Sequence, residues 1–156
     1  MAATTPKLTQ LLSAMVTRLE TIKTVGATTY RTLPVAVKTG RAASYAGSVT
    51  APYLCVFWVG HADQKRTASM HRTTYTIGVD CVAAEVDDAL GALVDLMTDV
   101  EQCLFNLEDM TLADGGRAVD LRETQAALNL EVFEQAGRGV GTLAFEVIVD
   151  RTHTAL

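Results

Sequence analysis

The chain is poor in the residues from which reactive sites are usually built. Its 156 residues include three histidines, three cysteines, three prolines and one tryptophan, and aromatic side chains make up only 6%. The cysteines, Cys55, Cys81 and Cys103, are odd in number, far apart and each set inside an apolar periodic segment. That spacing excludes the close pairs of a zinc site and any need for a disulfide framework, and leaves small core residues suited to a reducing compartment. Long apolar runs are also missing. The longest, residues 53–59, falls far short of the roughly 20 residues that span a bilayer, and residues 1–6 lack the charged-then-apolar layout of a signal peptide. A soluble protein is expected. Basic residues are outnumbered 13 to 18, for a net charge of -5 and a pI near 5.1. A generally basic nucleic-acid surface is thereby excluded, since phosphate binding relies on clustered Lys and Arg.

Apolar surface, by contrast, is ample: 49% of residues are hydrophobic and 20% charged, as in a globular chain with one ordinary core, read as a single domain over residues 1–156. The strongest local signal lies between Thr73 and Leu104. Residues 73–81 alternate, with Tyr75, Ile77, Val79 and Cys81 on one side of an extended strand and Thr74, Thr76 and Asp80 on the other. After Glu85 the period changes, and Val86, Leu90, Leu93, Val94, Met97, Val100 and Leu104 form a helical stripe opposite Asp87, Asp88, Asp95, Asp99 and Glu101. Glu85, Asp87 and Asp88 stand where a helix N-terminus favours negative charge.

An earlier amphipathic helix is expected from Pro6, capped by Thr4 or Thr5, through Leu8, Leu11, Leu12, Met15, Val16, Leu19 and Ile22, ending near Val25 and Gly26. A short strand at residues 28–32 follows, closed by Pro34. Between Pro34 and Pro52 the chain reads as a long polar loop with a short strand at 35–37. Residues 53–59 are apolar on both alternating sets, as in a central strand covered on both faces, one of them by a partner subunit. Residues 61–72 form a polar, locally basic hairpin arm. Beyond the second helix come an acidic turn at 107–116, a short strand at 118–122, and a terminal hairpin of residues 126–133 and 142–150 joined by the glycine-rich turn 137–141. The order of elements predicts an α+β fold, a mainly antiparallel or mixed β-sheet with two amphipathic helices packed on one face.

Candidate chemistry is sparse. Across the arm His61, Asp63 and His71 offer a weak metal or acid–base cluster without a fourth ligand, and solvated loop histidines account for them more simply. Asp95 and Asp99, one helical turn apart, are either paired carboxylates or a solvated acidic face, the second being the commoner arrangement. The glycines of 137–141 imitate a phosphate loop, but a strand rather than a helix follows them. No catalytic, cofactor-binding or metal-binding residue is therefore assigned. Lys65, Arg66 and Arg72 form a local cluster of positive charge, and with the large apolar Trp58 they are the candidate interface residues.

The layout from end to end resembles that of the tail terminator, or tail-completion, proteins of long-tailed bacteriophages. What carries the resemblance is the leading helix from Leu8 to Ile22, the Tyr30 strand, the Pro52–Tyr53 strand, the polar loop with Asp63 to Arg66, the strand around Tyr75 to Val79, the long helix opening at Asp87–Asp88–Ala89–Leu90, and the closing strand from Phe145 to Thr152. The long segment from Thr39 to Thr50 departs from that pattern. The resemblance implies a non-enzymatic structural virion subunit, assembled in the host cytoplasm as a homo-oligomer, typically a hexameric ring. Such a ring sits at the head-proximal end of the tail, caps the tail tube protein, stops its polymerisation and joins the head–tail connector protein, with DNA passing through without specific binding and without a membrane or cofactor. Another neck, head-completion or minor tail protein is the alternative within that class, and a small cytoplasmic enzyme or ligand-binding domain the alternative outside it. The arm at 61–72 is expected to be mobile in the free subunit, because twelve residues with only Ala62, Ala68 and Met70 apolar bury too little surface to offset an ordering cost of about 1–2 kcal/mol per residue.

Overall fold

The computed structural model describes residues 5–23, 30–84, 88–105, 112, 118–129 and 138–152. The alternation at residues 73–81 is the middle of a longer strand, Met70–Ala84, which lies at the centre of a five-stranded sheet. In chain order the elements are α1 (Lys7–Glu20), β1 (Ala36–Thr39), β2 (Tyr53–Lys65), β3 (Met70–Ala84), α2 (Ala89–Phe105), β4 (Ala118–Asn129) and β5 (Arg138–Thr152), with 3-10 turns at Thr21–Lys23 and Ala42–Tyr45. The strands are ordered β1-β2-β3-β5-β4. Only β1 and β2 run parallel; β2 with β3, β3 with β5 and β5 with β4 are antiparallel. The fold is α+β, as the order of elements predicts.

Period-two alternation sends Leu54, Val56, Tyr75, Ile77, Val79, Cys81, Leu143, Phe145, Val147 and Val149 to one face of the sheet, and all of them are buried. Both helices lie on that face. Leu11, Met15, Leu19 and Ile22 from the first helical segment and Leu93, Leu96, Met97, Val100, Cys103 and Leu104 from α2 join the same cluster. Each fully buried aliphatic side chain contributes about 1.5–3 kcal/mol relative to exposure. The helices also meet at their C-terminal ends. The Arg18 Nε donates to the Cys103 carbonyl at 3.2 Å, and the Cys103 thiol donates to the Arg18 carbonyl at 3.1 Å. On the opposite face Tyr53, Cys55 and Val82 are covered by Ala42 and the 3-10 turn. Two-sided cover of residues 53–56 is therefore as expected, but the second cover comes from the chain's own loop and not from a partner. Trp58, Val59 and residues 61–64 are exposed.

Several local expectations are corrected. Pro6 occupies the N-cap position of α1 and no side chain caps it. Thr4, Val25 and Gly26 lie outside the described residues, as do Glu85, Val86, Asp87 and nearly all of the 107–116 turn. Asp88 does cap α2, its Oδ1 accepting the Gly91 N–H at 2.8 Å. Residues 30–32 are not a strand, whereas the short strand expected at 35–37 is present as Ala36–Thr39. On α2 the inward face includes Leu96 and Cys103, whereas Leu90 and Val94 are 51% and 48% exposed. The strands expected at 118–122 and 126–133 are one strand up to Asn129, with register shifts between Ala118 and Asp120 and between Glu123 and Gln125. The glycines at 139 and 141 are not a turn: they lie in β5, paired with Ala83 and Cys81. At Gly141 an added Cβ would stand 2.5 Å from the Met97 sulfur, so the helix packs directly on the bare backbone.

Candidate functional site

The polar segment at 61–72 is built as part of the sheet. β2 and β3 stay in register to Lys65 opposite His71, and β5 runs alongside β3 as far as Thr152 opposite Met70. Only residues 66–69 form the turn, closed by the Arg66 and Thr67 amides on the Met70 carbonyl at 2.9 and 3.1 Å. The arm is thus three-stranded through much of its length, and β5 supplies backbone partners that a lone hairpin would lack. This weakens the expectation of a mobile arm, which took the segment to be on its own.

The same register separates the histidines. His61 stands opposite Tyr75 and His71 opposite Lys65, four positions or about 13 Å apart along the strand at roughly 3.3 Å per residue. His61 instead stacks on Trp58 with ring centroids 5.6 Å apart and leans on Tyr75 at 5.9 Å, while an Asp63 carboxylate oxygen accepts the Thr73 hydroxyl at 2.6 Å. Among the described residues no group of three or more His, Cys, Asp or Glu side chains could hold a metal ion.

The four candidate interface residues fare differently. Trp58 is 45% exposed beside a register shift that leaves Val59, 60% exposed, without a β3 partner. Lys65 ends β2 and Arg66 begins the exposed turn. Arg72 is committed elsewhere: it holds Asp150 through two bonds, Nε to Oδ1 at 2.8 Å and Nη2 to Oδ2 at 3.0 Å. This hydrogen-bonded pairing raises the Arg72 pKa and lowers that of Asp150. Of the expected cluster, Arg66 stands in the exposed turn, directly after β2 ends at Lys65.

Two buried carboxylates that the sequence hides under simple alternation do the anchoring. Asp80 is 2% exposed. Its oxygens accept from Arg41 Nε at 2.9 Å and Nη2 at 3.4 Å, from the Ala42 amide at 2.9 Å and from the Thr142 hydroxyl at 2.7 Å. The Arg41 guanidinium lies 4.1 Å from the centre of the Phe57 ring, and that ring fills the space over Gly78, where a Cβ would come within 2.1 Å of it. The loop between β1 and β2 is thereby clamped across the sheet, reversing its direction through Gly40 and Gly47 at φ of 106° and 85°.

Asp99, assigned from the sequence to a solvated face, is 1% exposed. It accepts the Arg31 amide on both oxygens at 3.1 and 2.9 Å, the Thr32 amide at 2.7 Å and the Thr32 hydroxyl at 2.6 Å, and Asp95 receives the Arg31 side chain at 3.3 Å. Asp95 and Asp99 are thus not a carboxylate pair. Glu123 on β4 does have a carboxylate neighbour: its pKa is raised by burial, by the charge of Glu101 on α2 and by a hydrogen bond between the two. No spacing rule could have found that pair, since its members come from elements distant in sequence. Burial and then the Asp80 charge push the Cys55 thiol up to about 11 and also raise that of Cys81, which disfavours their thiolate forms.

What remains exposed and unassigned is an edge. β1 borders only Tyr53–Val56 of β2, so from Phe57 onward the outer side of β2 has no neighbouring strand among the described residues. Likewise β4 neighbours only β5. On α2 Leu90 and Val94 are exposed, and the exposed Phe105 lines a shallow depression with Thr98, Glu101 and Gln102. Among the described residues no helix is long and apolar enough to cross a membrane. No protein-family model matches the chain, and no curated protein matches it. Among solved structures it is similar to a chain of the virion of a native gene transfer agent (GTA) particle, at 17% sequence identity and a TM-score of 0.59, aligned over 75% of this chain and 80% of that one. At that identity the likeness is one of fold: a virion chain shares this α+β arrangement of sheet and helices.

Proposed function

We propose that the protein is a non-enzymatic structural component of a phage-like virion, a tail terminator that assembles as a homohexameric ring on the end of the tail tube. The observation that carries the reading is the fold shared with a gene transfer agent virion chain over three quarters of the sequence. The end-to-end layout that resembles the tail-terminator family narrows it. In this role the ring caps the tube protein, stops its growth and offers its other side to the head–tail connector, and DNA passes through without base-specific contact. Trp58, Lys65 and Arg66 serve as contact residues at the exposed side and tip of the hairpin. Arg72 acts through Asp150, stiffening the arm rather than touching a partner.

Native mass spectrometry of the purified protein, alone and with tail tube protein, tests the assembly. A ring, formed alone or on the tube, is expected; a monomer indifferent to tube protein overturns the reading. Electron microscopy of particles lacking the protein tests the position. Overlong tails are expected, whereas normal tails detached from heads would move the protein to the head side of the neck.

A further inference from the structure

We infer that copies of this chain join edge to edge, the outer side of β2 from Phe57 to Lys65 pairing antiparallel with β4 of the next copy, so that one sheet runs on from subunit to subunit. This rests on the ring reading above and names the surface that would build it. β4 borders one side of the sheet and, past the four residues that β1 covers, β2 borders the other, and each there has backbone groups on its outer side with no neighbouring strand among the described residues. A long open edge is a ready template for another strand. Joining unlike edges is a heterologous contact, which propagates from copy to copy and closes into a ring when the rotation permits.

Two independent observations fix the direction. First, β2 and β3, β3 and β5, and β5 and β4 are each antiparallel, so β2 and β4 run in opposite senses within one subunit. Rotation about an axis roughly along the strands therefore brings them together antiparallel. Second, the residue types match only in that sense. β2 runs from apolar Trp58 and Val59 to Lys65, and β4 read backwards runs from the exposed Ala126 and Ala127 to Asp120. Counted past the bulge between Glu123 and Gln125, the register that sets Asp63 opposite Arg122 and Lys65 opposite Asp120 sets Val59 opposite Ala127, with two opposite-charge cross-strand pairs from a single alignment. Pairing β2 with β2 of another copy sets Asp63 opposite Lys65 only by overlapping the last three residues of each strand, and leaves β4 open.

Disulfide trapping tests the register, and the native thiols do not interfere because all three are buried. Val59→Cys is combined in turn with Gln125→Cys, Ala126→Cys and Ala127→Cys in the full-length chain, assembled alone or on tail tube protein and mildly oxidised. A ladder of cross-linked multimers is expected, strongest with Ala127→Cys, while each single variant stays monomeric on a denaturing gel. Dimers from Val59→Cys alone would show like edges pairing and overturn the inference. So would rings seen by native mass spectrometry that give no ladder with any of the three pairs, and that result would leave the ring reading standing. Absence of any oligomer, alone or on tube protein, removes both. In a parallel arm, Lys65→Glu should cut the assembled fraction at least several-fold and Asp120→Lys in the same chain should restore it; assembly unchanged by Lys65→Glu, or no recovery in the double variant, overturns the proposed register.

Discussion

Replacing Asp80 with alanine tests whether the loop between β1 and β2 is held from the buried end of its ion pair. Asp80 is 2% exposed, whereas the Arg41 side chain is 60% exposed, so the two partners should not be equally costly to remove. Without the carboxylate, the Ala42 amide and the Thr142 hydroxyl lose a charged acceptor at 2.9 and 2.7 Å, at about 1.5–3 kcal/mol for each such bond. The Arg41 bonds add little, because an exposed guanidinium turns to water and surface pairs contribute about 0–1 kcal/mol. The total is about 3–6 kcal/mol for Asp80→Ala. Arg41→Ala removes the exposed half of the pair and the contact over Phe57, itself about 0.5–1 kcal/mol, and should cost about 1–2 kcal/mol. Urea unfolding followed by circular dichroism separates them: with a slope of roughly 2 kcal/mol per molar, the midpoint should fall by about 1.5–3 M for Asp80→Ala and no more than about 1 M for Arg41→Ala. Equal losses, or a loss below about 1 kcal/mol for Asp80→Ala, would refute the idea that burial rather than charge pairing sets the strength of the clamp.

Asp99→Ala should destabilise by about 3–5 kcal/mol, since three backbone-amide contacts and a hydroxyl lose their acceptor, while Asp95→Ala, with its 46% exposed side chain, should cost at most about 1 kcal/mol; thermal melts of the two variants compare them directly. Gly78→Ala should cost about 1–3 kcal/mol because Phe57 must leave its place on the sheet, and Gly60→Ala, where nothing lies within 4 Å of the added carbon, serves as the neutral control by the same melts. The Asp150 carboxyl has its pKa lowered by Arg72, so its contribution is present above the unfolded value, near pH 4, and is lost as the pH falls through the folded value. The stability gap between wild type and Asp150→Asn, measured by urea titration from pH 7 to 2.5, should therefore be constant near neutrality and close only in acid.

How far the sequence reveals this molecule depends on the range of the interactions involved. Strands β3 and β5 show their alternation because every second side chain enters the same core, and α2 shows its period for the same reason. β4 reads as two strands because each bulge inserts a residue and shifts the phase of alternation, so neither half matches the other although the backbone is continuous. Asp99 reads as a surface residue because it lies one turn from Asp95. What buries it is the stretch at Arg31 and Thr32, more than sixty residues earlier, and no helical periodicity contains that contact. The arm reads as a free hairpin because its own composition is polar, and its third strand comes from the far end of the chain. Of the candidate interface, Trp58, Lys65 and Arg66 are legible as unusual side chains, but the occupation of Arg72 by Asp150 rests on a register between distant strands.

The bonds exchanged between Arg18 and Cys103 have a consequence for how the molecule opens. The last carbonyls of any helix lack partners in their own helix, and here each helix lends a side chain to the other's final turn. Fraying at the end of α1 withdraws the donor that closes α2, and fraying of α2 takes the thiol from α1. The two ends therefore behave as one lock with two keyholes. Amide hydrogens in both final turns should exchange at a common opening free energy, as members of one cooperative unit, although more than eighty residues of chain separate them.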